Sequence, residues 1–207
     1  MEKKLLLFDL DGVLLDSRRN MSKAWEAVQS QLGIHVPFEH YFAQIGRPFS
    51  DIMTGLGLHD NAHEAERVFQ AASMKHLHLL EFFPGIENSL VEAEAFGLQL
   101  GVVTSKDKLR TDNILALLPV EFVTVRTPEP YYRGKPAPDH LLAACAEANR
   151  DPCETVYIGD MSVDYNAACR AGIDYVHVQW GYGDRSADYS RTVNSMRELL
   201  DLAYEWN

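Results

Sequence analysis

Apolar residues along this chain change their spacing twice, and each change marks a different kind of structure. Leu5-Leu6-Leu7-Phe8 is a short unbroken apolar run that ends in Asp9, Asp11 and Gly12, which suits a strand buried on both faces. From Asn20 to Leu32 the apolar positions Met21, Trp25, Val28 and Leu32 recur at helical spacing, with Gly33 placed to end the helix. Pro37 and Gly46-Arg47-Pro48 interrupt the chain, and the pattern then predicts a short helix over 50–56 and a long one over 62–80. No buried strand is expected between residues 17 and 80. From Ile86 onward the grammar alternates: helices over 86–96, 109–118, 138–149, 162–171 and 196–206 are separated by strands over 100–104, 121–125, 155–158 and 174–178.

Strands spaced by helices of this length imply βαβ units. The expected fold class is therefore α/β, a Rossmann-like doubly wound parallel sheet covered on both faces, with an inserted α-helical cap. The expected division is a core of residues 1–16 and 82–207 and a helical cap of residues 17–81.

Composition narrows the function. The 207 residues hold 30 Asp and Glu against 19 Lys and Arg, a formal charge of −11 that opposes sequence-independent binding to nucleic acid or to an anionic membrane. Neither partner is expected, and any phosphate handled here must meet local cations. The 3 cysteines show no C-x-x-C spacing, which suggests neither a disulfide framework nor a thiolate zinc site. The 8 histidines show no convincing ligand spacing. Asp9 and Asp11 break the first apolar run too early for a secretory leader, and a cytoplasmic protein is expected.

In parallel sheets ligands bind beyond the carboxyl ends of strands, so the polar residues there carry the candidate chemistry. Asp9 and Asp11 share a parity on an extended chain, so both are able to face one cleft. Two carboxylates that close raise each other's pKa unless a cation sits beside them, which asks for a divalent metal. A calcium loop needs an oxygen-bearing residue at position 13, where this chain has Val13. Thr104-Ser105-Lys106 ends the second core strand, Lys135 lies between the restraints of Pro136 and Pro138, and Asp160 and Asp164 follow the fourth strand. Each has a simpler explanation as a helix cap, a dipole partner or a solvated charge. Their occurrence in order at four successive strand ends favours a shared site.

Phe8-Asp9-Leu10-Asp11-Gly12-Val13, Val103-Thr104-Ser105-Lys106, Gly134-Lys135-Pro136-Ala137-Pro138-Asp139 and Gly159-Asp160 with Asp164 together resemble the four motifs of the haloacid dehalogenase-like hydrolase superfamily. The helical stretch after the first motif resembles the α-helical-cap subfamily that includes phosphoglycolate phosphatase. The resemblance implies a phosphatase of a small phosphorylated metabolite, phosphoglycolate-like or a sugar phosphate. Asp9 would be the nucleophile, and Asp11 would protonate the leaving oxygen and then activate water. Mg²⁺ would sit on the Asp9 carboxylate, the Asp11 backbone carbonyl and Asp160, with Asp164 holding the ion through water or orienting its ligands. Thr104 and Ser105 would bind phosphoryl oxygens, Lys135 would neutralise charge on Asp9 and the phosphate, and Arg47 would reach a second anionic group.

Asp11 sets the chain apart from the dehalogenases and phosphonatases of this superfamily, which lack or replace that acid. A phosphomutase resembling β-phosphoglucomutase keeps both acids, but its cap loop carries Lys and Arg where this chain has Ile45 and Phe49. A binding or regulatory protein that kept the fold without catalysis is the alternative from another class. Thr127-Pro128-Glu129-Pro130-Tyr131-Tyr132 departs from the Gly/Asp-rich loop of phosphoglycolate phosphatase relatives and leaves the substrate open. Trp180-Gly181-Tyr182-Gly183 is expected to pack its rings on the core. A monomer or homodimer is expected.

Overall fold

The computed structural model describes residues 2–183 and 188–206. Strand β1 (Leu5–Phe8) is buried along its whole length, as its unbroken apolar run requires. The chain then turns through Gly12 (φ +87°) into the two-residue β2 (Leu15–Asp16) and enters a helical insertion. The insertion holds α1 (Arg18–Leu32), α2 (Phe38–Phe42), α3 (Phe49–Gly55) and α4 (Ala62–Lys75), and it returns through β3 (Glu81–Phe82), which pairs antiparallel with β2.

After the insertion come α5 (Ile86–Ala95), β4 (Gln99–Val103), α6 (Lys108–Leu115), β5 (Thr124–Arg126), α7 (Asp139–Glu147) and β6 (Thr155–Gly159). The chain closes with α8 (Ser162–Ala171), β7 (Asp174–Val178), β8 (Thr192–Val193) and α9 (Met196–Glu205). The six-stranded sheet has the order β5-β4-β1-β6-β7-β8, and every pairing in it is parallel. This is the Rossmann-like doubly wound sheet expected from the alternation.

The chain builds outward from β1 on one side through β4 and β5, then crosses back to place β6 against the other edge of β1. That reversal puts a topological switch point at the carboxyl end of β1. One sheet face is covered by α5 and α9 through Ile86, Leu90, Leu199 and Leu200, the other by α7 and α8 through Leu141, Ala144, Ala167 and Ala168.

The insertion buries its own apolar cluster. Fully buried Trp25 stacks on Tyr41 with ring centroids 4.6 Å apart, and its indole N–H donates to the Val36 carbonyl at 2.8 Å. The helix expected over 62–80 stops at Lys75 instead. There the buried Asn20 side-chain amide donates to the Ser73 and His76 carbonyls, both at 2.9 Å, and a 3₁₀ turn over Leu77–Leu79 follows. The strand expected over 121–125 is shifted to Thr124–Arg126, because register with β4 places Gly101 against Thr124.

Trp25→Ala is expected to lower unfolding free energy by roughly 3–5 kcal/mol, the usual range for emptying a buried aromatic site. Urea denaturation followed by far-UV circular dichroism measures it.

Candidate active site

The carboxyl ends of β1, β4 and β6 deliver Asp9, Thr104 and Asp160 to one place. Asp9 extends the ladder by one bond, its N–H donating to the Ile158 carbonyl at 2.9 Å, and Thr104 does the same to Arg126 at 3.0 Å. All three side chains are buried. Lys135, delivered by the loop before α7, lies beneath them with only 3% of its surface exposed. Its Nζ stands 3.0 Å from Asp9 Oδ1 and 2.7 Å from Asp164 Oδ1, and it donates to the Tyr157 hydroxyl at 3.1 Å. The Tyr157 hydroxyl in turn donates a hydrogen bond to the Val103 carbonyl at 3.0 Å. Burial opposes the charge on Lys135, yet the Asp164 and Asp9 carboxylates outweigh it and hold the ammonium's pKa above the usual lysine value.

One lysine does not neutralise this many acids. Burial, together with Asp164 and Asp11, pushes the Asp9 carboxyl up to about 7 despite Lys135. Burial, with Asp164 and Asp9 as acidic neighbours, pushes Asp160 well above its ordinary value. Asp160 Oδ2 accepts the Tyr182 N–H at 2.6 Å, whereas its buried Oδ1 has no hydrogen-bond partner among the described residues. Carboxylate oxygens of Asp9, Asp160 and Asp164 lie within 4.8 Å of one another. An orphaned buried oxygen in an all-carboxylate donor set, short of positive charge, fits a hard divalent cation. Asp164 has less to offer a cation directly. Its Oδ1 holds Lys135 and its Oδ2 accepts the Met161 N–H at 3.0 Å, which favours orientation over ligation.

Glycines make the close approach around Asp160 feasible. A Cβ on Gly12 would lie 2.9 Å from Asp160 Oδ1, and one on Gly181 would lie 2.5 Å from Oδ2 and 2.6 Å from the Gly12 carbonyl oxygen. Trp180 does pack on the core and donates to the Val13 carbonyl at 2.9 Å. Tyr182 corrects the expectation for its segment. It packs on the insertion, 4.9 Å from the Phe42 ring, and its hydroxyl donates to Asp16 Oδ1 at 2.8 Å and accepts the Ser17 N–H at 2.6 Å. The ring therefore touches the strand junction through which the chain enters the insertion.

Asp11 points elsewhere. Its Oδ1 pairs with Lys106 Nζ at 3.0 Å, and Lys106 is buried. Burial lowers the lysine's pKa while Asp11 counters it. Lys106 belongs to the strand-end motif but had no expected role. A single lysine after Thr-Ser carries no signal of direction, and only the fold shows that it turns inward.

A cavity of about 320 Å³ opens over these groups, between the sheet edge and the insertion. Asp9, Asp11, Thr104, Ser105, Lys106 and Pro128 line the sheet side, and Tyr41, Arg47, Phe49, Glu66, Phe69 and Gln70 line the other. Arg47 is exposed at this wall. The Ser105 hydroxyl donates to the Gly46 carbonyl at 2.8 Å, so it ties the insertion's loop to the sheet rather than standing free for a phosphate. In the loop over 127–132, Pro128 reaches the cavity, while Tyr131 is 94% exposed.

Residues 6–178 match the family described as haloacid dehalogenase-like hydrolase. The chain belongs to this family. A plasmid-borne phosphoglycolate phosphatase of Cupriavidus necator is 30% identical, with 95% of this chain and 89% of that one covered. The tyrosine-protein kinase PtkA of Mycobacterium tuberculosis is also 30% identical, over 96% of this chain and 73% of that one. The crystal structure of a putative phosphoglycolate phosphatase from Lactobacillus plantarum superposes with a TM-score of 0.88 at 24% identity, covering 98% of this chain and 100% of the other, and thereby supports the fold. Family and branch are those that the four motifs resemble.

Because burial pushes the Asp9 carboxyl up to about 7, a divalent cation held there would displace protons on binding. Mg²⁺ affinity is therefore expected to rise with pH up to about 7. Calorimetry in buffers of different ionisation enthalpy should register more proton release on Mg²⁺ binding at pH 6 than at pH 8. Gly181→Ala should weaken the binding by displacing Asp160.

Proposed function

We propose that this chain is a Mg²⁺-dependent phosphatase that hydrolyses a small phosphorylated metabolite through an aspartyl-phosphate on Asp9, with residues 17–81 acting as a cap over a core of residues 1–16 and 82–207. The chain is a phosphoric monoester hydrolase, and the observation that carries the mechanism is the Asp9 carboxylate held against buried Lys135 at the floor of the cavity.

In the first step an Asp9 oxygen attacks phosphorus, the ester P–O bond breaks, and Asp11 gives its proton to the departing oxygen. In the second, Asp11 takes a proton from water as the water attacks phosphorus, and the acyl-phosphate bond breaks to return Asp9 and free phosphate. Lys135 balances the negative charge of Asp9 and of the phosphoryl oxygens throughout, in a dry environment where such a contact is strong. The Thr104 hydroxyl lines the same wall as a phosphoryl donor. Asp9, Asp160 and the Asp11 carbonyl would hold Mg²⁺, with Asp164 orienting Lys135, and the ion would supply further charge neutralisation. Arg47 is available for a second anionic group. Lys106 holds the Asp11 carboxylate at the cavity wall, where a leaving oxygen has to pass.

Transfer to a sugar hydroxyl, as in a phosphomutase, is less well supported. Ile45 is buried in the insertion's own cluster and Phe49 packs 5.5 Å from Phe69, so neither position offers a cation to a second phosphate. A binding protein without catalysis is disfavoured by the complete charged set. Among the described residues no helix is long and apolar enough to cross a membrane, and the three cysteines are free, which suits a reducing cytoplasm.

Asp9→Asn is expected to abolish hydrolysis of p-nitrophenyl phosphate in Mg²⁺ while the circular dichroism spectrum persists; substantial turnover in a clean preparation would sink the nucleophile assignment. Asp11→Asn should lower kcat by about 10²–10⁴. The loss should be steepest for alkyl phosphates and mildest for aryl phosphates, and Lys106→Met should show the same leaving-group trend more weakly. Equal losses across leaving groups would argue against the acid role.

A further inference from the structure

The wall facing the catalytic carboxylates combines two kinds of surface. Tyr41, Phe49 and Phe69 form an aromatic cluster, with centroids 5.2 Å apart for Tyr41 and Phe69, 5.5 Å for Phe49 and Phe69, and 6.0 Å for Tyr41 and Phe49. Beside it, Glu66 and Gln70 project from α4 one turn apart, both half-buried, and Gln70 Nε2 donates to Glu66 Oε1 at 3.4 Å. All five line the cavity.

Charge pairing among the lining residues shows what is left for a ligand. Lys106 is taken by Asp11, Lys108 by Asp112 at 2.9 Å, and Arg110 by Asp107. Arg110 is further engaged by Ser73 Oγ at 3.1 Å and lies 5.4 Å over the Phe69 ring. Glu66 has no ion pair among the described residues. Burial and the nearby Asp107 raise its pKa, against the weaker pull of Arg110. Among the described residues, Arg47 is the lining cation left for an anionic group at the loop between α2 and α3, whereas a carboxylate brought against α4 itself would meet a like charge at Glu66. The hydroxyl groups of a polyol would instead find an acceptor at Glu66, a donor and acceptor at Gln70, and the half-buried Phe49 ring for their C–H face.

Size points the same way. A cavity of about 320 Å³ leaves room for a leaving group larger than two carbons.

We propose that Glu66 and Gln70, set beside the Tyr41–Phe49–Phe69 cluster, are specificity-determining residues that select a sugar or polyol monophosphate with a neutral, hydroxylated leaving group over a short phosphorylated carboxylic acid. This deepens the phosphatase reading above and rests on it.

The test compares kcat/KM of the Mg²⁺-loaded full chain on hexose and pentose monophosphates, 2-phosphoglycolate, phosphoethanolamine and p-nitrophenyl phosphate. At least one sugar phosphate is expected to exceed 2-phosphoglycolate by about tenfold or more, the usual worth of a hydrogen bond to a charged group. Glu66→Leu should collapse that ratio by a similar factor, mainly through KM, and Glu66→Gln, which keeps hydrogen-bonding atoms in place, should restore most of it. A preference for 2-phosphoglycolate overturns the proposal. So does a preference for phosphoethanolamine, which would make Glu66 an ammonium site, and so does a ratio that Glu66→Leu leaves intact. If Glu66→Leu fails to fold, the wild-type ranking and the Gln70→Leu ratio decide. Hydrolysis of p-nitrophenyl phosphate without any sugar preference overturns this inference alone, whereas no hydrolysis of any ester overturns the phosphatase reading with it.

Discussion

Everything at the sheet edge depends on one buried ammonium group. Lys135 lies under Asp9 and Asp164 with almost no access to water, in a chain whose charge is already −11. Without it three carboxylates would be packed together in a region of low dielectric, an arrangement that costs far more than any single hydrogen bond returns. With it, the deficit is reduced but not removed, as the raised pKa values of Asp9 and Asp160 record. The remainder fits the site to a divalent cation, whose charge would in turn offset that of a phosphoryl group. The loop that carries Lys135 is tied into α8 by the same contact, since Asp164 sits in that helix's first turn.

The sheet was legible because its strands are short, apolar and punctuated by polar ends. Strand β7 and helix α8 occur where their spacing places them, and α1 begins two residues before its apolar periodicity does. The elements that escaped are those whose existence depends on partners distant in sequence. The β2–β3 ribbon is two residues long on each side, too short for any period, and forms only because the two ends of the insertion meet. Strand β8 is equally short and exists by pairing with β7. The site divides in the same way. Asp9, Lys135 and Asp160 are announced by their motifs, whereas the inward turn of Lys106 and the link from Tyr182 to Asp160, Asp16 and Phe42 are products of tertiary geometry. Ser105 shows the reverse: a hydroxyl well placed in sequence for phosphate is engaged by a backbone carbonyl of the insertion.

The two apolar clusters explain why the insertion has its own identity. Trp25, Tyr41 and Phe69 satisfy the insertion internally, and the sheet buries its side chains without them. Contact between the two parts mixes apolar packing, as of Tyr182 and Met161 on the insertion's cluster, with polar links. Arg110 crosses from α6 to Ser73, and Ser73 in turn donates to Asn20 Oδ1 at 2.6 Å, so a buried polar chain runs from a helix of the sheet layer into α4 and α1. Buried polar links of this kind fix geometry more than they add stability.

The bond from Ser105 to the Gly46 carbonyl has a kinetic meaning. A neutral hydrogen bond contributes about 1 kcal/mol net, within a small multiple of thermal energy. A link of that strength opens readily by itself, but the Arg110–Ser73 bond and the ring contact of Tyr182 with Phe42 would have to part along with it before the insertion could swing away from the sheet.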